Sequence, residues 1–172
     1  MWTYGVRRMG RRALSALIAA VMLLSVTTGG ALAAFEDVPA AHWAAAAIER
    51  WQSCGVMQGD GHGFRPGDNV TRGEAAVVLD RLAGPELQAE NVYADLPAGA
   101  YYTAPMLRLS AAGLMQGDGA GMRPGDIVTR QELAVLLARL FALEGADQPE
   151  YADGGAIAPW ARDAVAAVSA RG

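Results

Sequence analysis

Cysteine, lysine and histidine are almost absent from this chain of 172 residues. It has one cysteine, Cys54, two histidines and no lysine, because all 14 basic residues are arginines. A single cysteine excludes an internal disulfide and a zinc site built on cysteine pairs. His42 and His62 lie in no cluster of metal ligands, and without a lysine the glycine-rich loops cannot form a phosphate-binding P-loop. We therefore predict no cofactor and no metal.

Charged and aromatic residues are also scarce, at 19% and 7%, whereas hydrophobic residues make up 52%. This composition excludes intrinsic disorder. The 21 glycines and 8 prolines predict short elements separated by frequent turns. The length fits one domain or a few small repeats.

The N-terminal segment is typical of an export signal. Arginines 7, 8, 11 and 12 precede an apolar run from Ala13 to Val26, and Ala31-Leu32-Ala33 follows as a signal-peptidase site. Cleavage is predicted before Ala34. The apolar run has 14 residues, whereas a membrane span needs about 20, so a permanent membrane anchor is the less favoured alternative. Export by the twin-arginine route is a further alternative.

Removal of the signal changes the charge of the protein. All 18 acidic residues follow the signal and only 10 arginines remain, so the mature part has a net charge of −8. This charge disfavours binding to nucleic acid. No later segment is apolar enough to span a membrane.

The chain contains an internal repeat. Residues 37–82 match residues 95–140 with a constant offset of 58 and no gap. A third unit opens at Tyr151, has one extra residue before Trp160, and stops at Gly172, which matches Gly113. We therefore predict a signal peptide at 1–33, repeats at 34–86 and 92–145, and a truncated third repeat at 150–172.

Each unit has the pattern helix, loop, helix, which predicts an all-α fold. Residues with helical spacing form an apolar stripe on each first helix: Trp43, Ala47, Ile48, Trp51 and Cys54; Tyr101, Met106, Leu109 and Ala112; Trp160, Ala164, Val165 and Val168. Gly55 and Gly113 are predicted to end the first two of these helices in the left-handed conformation. Thr103 is predicted to cap the helix that has Pro105 in its first turn.

The second helix of each complete unit begins with capping-box spacing. Thr71 precedes Glu74, and Thr129 precedes Glu132. Each hydroxyl and carboxylate should satisfy free amides of the first turn. These helices are predicted to end near Gly84 and Gly145.

The loop between the two helices has about 16 residues, which is long for a compact domain and suggests a function. Asp60, Asp68 and Glu74 raise the alternative of calcium. The EF-hand, however, needs oxygen ligands at alternate positions, where this loop has Gly61, Phe64 and Pro66.

The repeated residues resemble the S-layer homology motif. The resemblance rests on the aromatic-Asp-x-Pro opening at Phe35, the His42-Trp43 pair, Gly55-Val56-Met57, Phe64-Arg65-Pro66 and the Thr71-Arg72-Gly73-Glu74 signature. It implies three modules in a pseudo-threefold three-helix bundle. Its grooves are expected to hold secondary cell-wall polysaccharide, often with pyruvate ketals, and so to moor an exported protein non-covalently. The resemblance implies no enzymatic activity.

Two arginines are the main candidates for ligand contact. Arg72 and Arg130 follow the capping threonines, at helix N-termini that already favour an anion. Each guanidinium can bind a carboxylate through two hydrogen bonds. The alternative is that both arginines are solvated.

Four further residues are candidates for polysaccharide contact. Asp37 and Asp95 either contact the ligand or form turns. Trp43 and Tyr102 are predicted to pack against sugar rings, although Trp43 and Trp51 are alternatively core residues.

The sequence departs from the family pattern at several positions. The second unit has Tyr101 and Tyr102 in place of the His-Trp pair, and Gly73 replaces an alanine. The third unit lacks its loop and second helix, so a third complete groove cannot form from these residues. Its one helix is expected to pack on the first helices of units one and two.

The predicted function is therefore that of an exported cell-wall anchor. Two alternatives stay open: the anchor of a surface glycoside hydrolase or other enzyme whose catalytic domain lies elsewhere, or a structural S-layer subunit. Self-assembly is not predicted from the sequence.

Overall fold

A computed structural model describes residues 35–84, 87–144 and 151–171. The described residues form five α-helices and no strand, which confirms the prediction of an all-α tandem repeat. The helices are α1 (Ala45–Ser53), α2 (Arg72–Ala83), α3 (Thr103–Ala111), α4 (Arg130–Leu140) and α5 (Arg162–Ser169). Two short 3-10 turns, Gly154–Ala156 and Pro159–Ala161, precede α5. The predicted signal peptide lies outside the described residues.

The first helices of units one and two end as predicted, but the start of α3 differs from the prediction. Gly55 and Gly113 follow α1 and α3 with φ of 72° and 70°, the left-handed region that glycine adopts without strain. Pro105 lies in the first turn of α3. Thr103 does not cap this helix, because the cap position is Tyr102 and Thr103 is the first helical residue. The Thr103 hydroxyl donates to the carbonyl of Pro97 at 2.8 Å.

The second helices begin with the two predicted capping boxes. The hydroxyls of Thr71 and Thr129 accept from the amides of Glu74 and Glu132, whose carboxylates accept from the threonine amides at 2.8 Å. Helix α4 ends at Leu140, before the predicted end at Gly145, which lies outside the described residues.

The extensive helix contacts cross the unit boundaries. Helix α2 of unit one packs on α3 of unit two, and α4 packs on α5 of unit three. This differs from the expected bundle of three first helices. The reason is that α2 contributes Ala76 and Leu79 to the same core as Met106 and Leu109 of α3.

The buried residues differ from two of the predicted apolar stripes. In α1 only Ile48 is buried, while Trp43 is exposed. In α5 the buried residues are Ala166 and Ala167. Val165 and Val168 of the predicted stripe are only half-buried.

Candidate functional site

The loop of unit two covers the N-terminus of α2. The amides of Arg72 and Gly73 donate to the carbonyls of Asp126 and Pro124 at 2.8 and 2.9 Å. An antiparallel bridge between Thr71 and Ile127 lies beside them. The free amides that were expected to favour an anion at this helix start are therefore satisfied by the protein itself.

The guanidinium of Arg72 lies inside this contact and is 5% exposed. It donates to the carbonyls of Met122 and Gln116, both at 3.0 Å, and forms an ion pair with Glu132 at 3.4 Å. Burial raises the pKa of Glu132, but hydrogen bonds from Thr129 and the charge of Arg72 outweigh it and leave that pKa lowered. Arg72 thus joins unit one to unit two, and each of its three guanidinium nitrogens already donates to an acceptor.

Arg130 has the same position in unit two but different surroundings. Its side chain is exposed and makes no hydrogen bond or ion pair with any described residue. The amides of Arg130 and Gln131 likewise have no acceptor in the described part of the chain. The start of α4 therefore offers a guanidinium and two amides to an anion.

Asp37 and Asp95 each clamp the far end of their own loop. The carboxylate of Asp37 accepts from the amides of Phe64 and Arg65, and the Asp37–Arg65 bond measures 2.6 Å. Gly63 lies so close that a Cβ there would approach the Asp37 carboxylate to 2.7 Å. The hydrogen bonds from Phe64 and Arg65 lower the pKa of Asp37.

The second unit repeats this clamp. The amides of Met122 and Arg123 donate to Asp95 at 3.1 and 2.6 Å. Partial burial raises the pKa of Asp95, but the hydrogen bonds from Arg123 and Met122 outweigh it, so the pKa is lowered. The aspartates thus hold the loops in shape, and neither geometry favours the predicted ligand contact.

Three aromatic side chains at equivalent positions are exposed. Trp43, Tyr101 and Trp160 are 89%, 65% and 59% exposed. Tyr101 lies beside Thr71 and Glu74 of unit one, and partial burial together with the charge of Glu74 raises its pKa. Trp160 lines an open groove of about 750 Å³ with residues that include Leu114, Arg139 and Leu143.

The comparison with known proteins identifies the repeats. Residues 34–76 and 92–134 match the profile of the S-layer homology domain. The chain belongs to the S-layer homology domain family. Both matched stretches contain the aspartate clamp, the loop and the capping box.

The relatives of this S-layer homology chain are much longer proteins. The Surface-layer 125 kDa protein of Lysinibacillus sphaericus is 29% identical over 86% of this chain and 13% of its own length. The S-layer protein sap of Bacillus anthracis is 30% identical over 78% of this chain and 17% of its own. Exoglucanase XynX of Acetivibrio thermocellus is 28% identical over 73% and 12%.

The family and these relatives place the chain at the cell surface, as a module that anchors proteins to cell-wall polysaccharide. Among the described residues no helix is long and apolar enough to cross a membrane. No group of three or more potential metal ligands occurs in that part of the chain.

Tyr102, a predicted sugar contact, is not the repeat equivalent of Trp43. The offset of 58 aligns Trp43 with Tyr101, not with Tyr102. Tyr102 is half-buried and packs against the core. The offset of 58 alone places Tyr101 at the position of Trp43. With the one extra residue of unit three, Trp160 occupies the same position in that unit.

The two loops each contain an arginine with an exposed side chain that was not among the predicted polysaccharide contacts. Arg65 and Arg123 have φ of 56° and 53°, the left-handed region that is uncommon for residues other than glycine. Arg65 forms ion pairs with Asp60 and Asp68, both at 3.1 Å. Their recurrence in Arg-Pro-Gly-Asp was visible in the sequence, but the backbone conformation was not.

Proposed function

We propose that this chain moors an exported protein to the cell wall by binding an acidic secondary polysaccharide, with pyruvate ketals as the acidic groups. The main support is Arg130, a guanidinium without a described partner at the start of a helix. A pyruvate ketal carries a carboxylate, which a guanidinium binds through two parallel hydrogen bonds. This local positive site explains how a protein of net charge −8 binds an acidic polymer.

The exposed aromatic residues supply the second part of the proposal. Trp43, Tyr101 and Trp160 present flat apolar faces at equivalent places of the three units. Such faces pack against the C–H groups of sugar rings and bury them from water. We include these residues as sugar contacts and leave out Asp37, Asp95 and Tyr102, whose surroundings favour structural roles.

Cosedimentation with purified cell-wall sacculi tests the proposal. Losing one charge-assisted contact costs about 1.5 to 3 kcal/mol, so Arg130→Ala should weaken binding by about tenfold or more. Arg130→Lys keeps the charge but cannot form the two parallel hydrogen bonds. Its binding should be weaker than that of the wild type and stronger than that of Arg130→Ala. Sacculi stripped of the polymer should bind little of the wild-type protein. Sacculi whose polymer lacks pyruvate should bind the wild-type protein as weakly as intact sacculi bind the Arg130→Ala variant.

Arg72 provides the matched control. Arg72→Ala should lower the free energy of unfolding by about 3 kcal/mol, because it removes the ion pair with Glu132 and leaves two buried carbonyls without their donor. Arg130→Ala should leave the thermal midpoint unchanged. Unchanged binding by Arg130→Ala would show that this arginine is merely solvated.

The remaining proposals concern the ends of the module and its cargo. We propose that residues 1–33 are a signal peptide, so N-terminal sequencing of the exported protein should begin at Ala34. We also propose repeats at 34–86 and 92–145 and a partial one at 150–172. The relatives include S-layer proteins and an exoglucanase, so we propose a surface-array domain or an enzyme as the anchored part. Sequencing the gene beyond Gly172 would distinguish a β-rich array domain, a hydrolase domain and a stop codon.

A further inference from the structure

Gln131 follows Arg130 in the second Thr-Arg-x-Glu motif and reaches the third unit. Its Oε1 atom accepts from the amide of Ala158 at 3.0 Å, and its side chain is half-buried. A backbone amide can only donate, so the oxygen and not the nitrogen of the Gln131 side chain faces Ala158. This hydrogen bond joins the first turn of α4 to a residue 27 positions later in the chain.

Ala158 directly precedes the 3-10 turn Pro159–Ala161, which we call the Trp160 turn. The Ala161 amide donates to the Ala158 carbonyl at 2.9 Å, and Ala161 is fully buried. Trp160, between these two residues, is 59% exposed. The turn is therefore held on both sides of an exposed aromatic side chain, by the buried Ala161 and by the bond from Ala158 to α4.

The boundary between units one and two holds the equivalent turn in another way. Tyr102 packs so close to Gly73 that a Cβ on the glycine would lie 3.1 Å from the Tyr102 Cβ. Gly73 is the equivalent of Gln131 and has no side chain that could reach the next unit. In unit three Ala161 stands at the position of Tyr102. The hydrogen bond of Gln131 thus replaces the packing of a ring on glycine.

The two proposed ligand contacts of this boundary lie at different points along α4. Arg130 is the first residue of the helix. The groove that Trp160 lines includes Val135, Ala138 and Arg139. These three residues follow Arg130 by about 8 to 13 Å along the helix axis, at 1.5 Å per residue. A single six-membered sugar ring is only a few bond lengths across, so one sugar does not reach from Arg130 to Trp160.

We propose that Gln131 is a positioning residue, which holds Trp160 at a fixed distance from Arg130 and so favours a ligand of two or more linked sugars. The inference rests on the proposed function, in which Arg130 binds the carboxylate and Trp160 packs against a sugar ring. The bond from Gln131 orders the Trp160 turn before the ligand binds. Less conformational entropy is then lost on binding.

Two ligands separate the role of Gln131 from that of Arg130. One is an oligosaccharide fragment of the purified cell-wall polymer, and the other is a single pyruvylated sugar released from the same polymer. Gln131→Met keeps the length of the side chain but loses the acceptor. By isothermal titration calorimetry it should bind the oligosaccharide about threefold to tenfold more weakly, which is the effect of one neutral hydrogen bond, and the single sugar like the wild type.

Two further variants serve as references in this titration. Arg130→Ala should weaken the binding of both ligands, because both carry the carboxylate. Gln88 is an exposed glutamine whose side chain makes no hydrogen bond with the described residues. Gln88→Met should therefore change neither affinity.

The fluorescence of Trp160 reports the order of its turn directly. After the predicted signal the chain has three tryptophans, so Trp43→Phe and Trp51→Phe leave Trp160 as the single one. In this background Gln131→Met should lower the fluorescence anisotropy of Trp160. Deuterium exchange of the Ala158 amide should also become faster, because its acceptor is gone.

Gln131→Glu gives a rescue with a different outcome for binding. Its carboxylate still accepts from the Ala158 amide, so the anisotropy and the amide exchange should return to the wild-type values. Its negative charge next to Arg130 should weaken the binding of both ligands. A role of Gln131 in folding alone would not separate these readouts.

The outcomes distinguish this inference from the proposed function. Wild-type binding of the oligosaccharide by Gln131→Met, an equal loss for both ligands, or an unchanged Trp160 anisotropy would each overturn the inference. Loss of the helical circular dichroism signal in both Gln131→Met and the smaller Gln131→Ala would also overturn it, since Gln131 would then be needed for the fold. If Arg130→Ala bound both ligands like the wild type, the proposed function itself would be wrong.

Discussion

Arg72 and Arg130 have the same place in the Thr-Arg-x-Glu motif yet lie in different surroundings. Arg72 is buried under the loop of the next unit and donates to its carbonyls, while Arg130 is exposed. One motif thus yields a structural cation in unit one and a ligand candidate in unit two. The residue types are the same, and the neighbouring loop makes the difference.

The aspartate clamps predict a dependence of stability on pH. The pKa of Asp95 in the folded protein lies below its ordinary value of 3.8, so the ionised carboxylate stabilises the fold. This contribution is complete above the ordinary pKa and is lost as the pH falls through the lower, folded-state pKa. The thermal midpoint of the wild type should therefore fall on acidification below about pH 4.

Asp95→Asn should lower the thermal midpoint at neutral pH and flatten its decline in acid. Circular dichroism melts at a series of pH values measure both effects. The exposed Asp153 provides the control, since Asp153→Asn should reproduce the wild-type profile. An Asp95→Asn profile that runs parallel to the wild type would contradict the clamp.

At the scale of elements, α2 and α3 approach each other closely because one residue at their contact has no side chain. The Gly73 amide donates to the Pro124 carbonyl at 2.9 Å. A Cβ on Gly73 would lie 3.1 Å from the Cβ and Cγ of Tyr102. The change from alanine to Gly73, seen first as a departure from the family pattern, thus accompanies the bulky Tyr102 in the next unit.

Gly73→Ala should lower the free energy of unfolding by about 1 kcal/mol, because the added methyl group would lie 3.1 Å from both the Pro124 carbonyl and Tyr102. Chemical denaturation measures this change. Gly67→Ala is the matched control, since no atom lies within 4 Å of its added Cβ. A Gly73→Ala variant as stable as the wild type would show that Tyr102 moves aside at little cost.

At the scale of the whole molecule, the packing is out of phase with the sequence repeat. A sequence unit runs helix, loop, helix, but the closely packed pair consists of a second helix and the next first helix. Each unit therefore depends on its neighbour for burial of its apolar surface. Helix α5 has eight residues and would be marginal alone in water, so α4 is the partner that stabilises it.

Truncation tests this dependence. A mature chain that ends at Asp147 lacks α5 and exposes the face of α4 around Ala138. Its thermal midpoint should be several degrees below that of the chain that ends at Gly172, since about 1 kcal/mol corresponds to a few degrees in a domain of this size. Identical midpoints would mean that α5 does not contribute to the stability of the first two units.

Local patterns in the sequence were enough for the repeat, the helices and the capping boxes. A capping box joins residues three apart, and a glycine stop depends on one backbone angle, so both are readable without knowledge of the fold. The family and its cell-surface role follow from the same motifs. Tyr101 was also predictable as the equivalent of Trp43, because the offset of 58 aligns these two residues.

Only the tertiary structure showed that Arg72 is buried while Arg130 is exposed, and that Asp37 binds the amides of its own loop. It also showed that second helices pack on the following first helices, which differs from the expected bundle of first helices. The contacts of Arg72 join residues 44 to 60 positions apart in the chain, and those of Asp37 join residues 27 and 28 positions apart. Whether such distant groups meet depends on how two units pack, because the same short motif has the same local conformation in both. Burial, and with it the availability of a charge to a ligand, is a property of the assembled units.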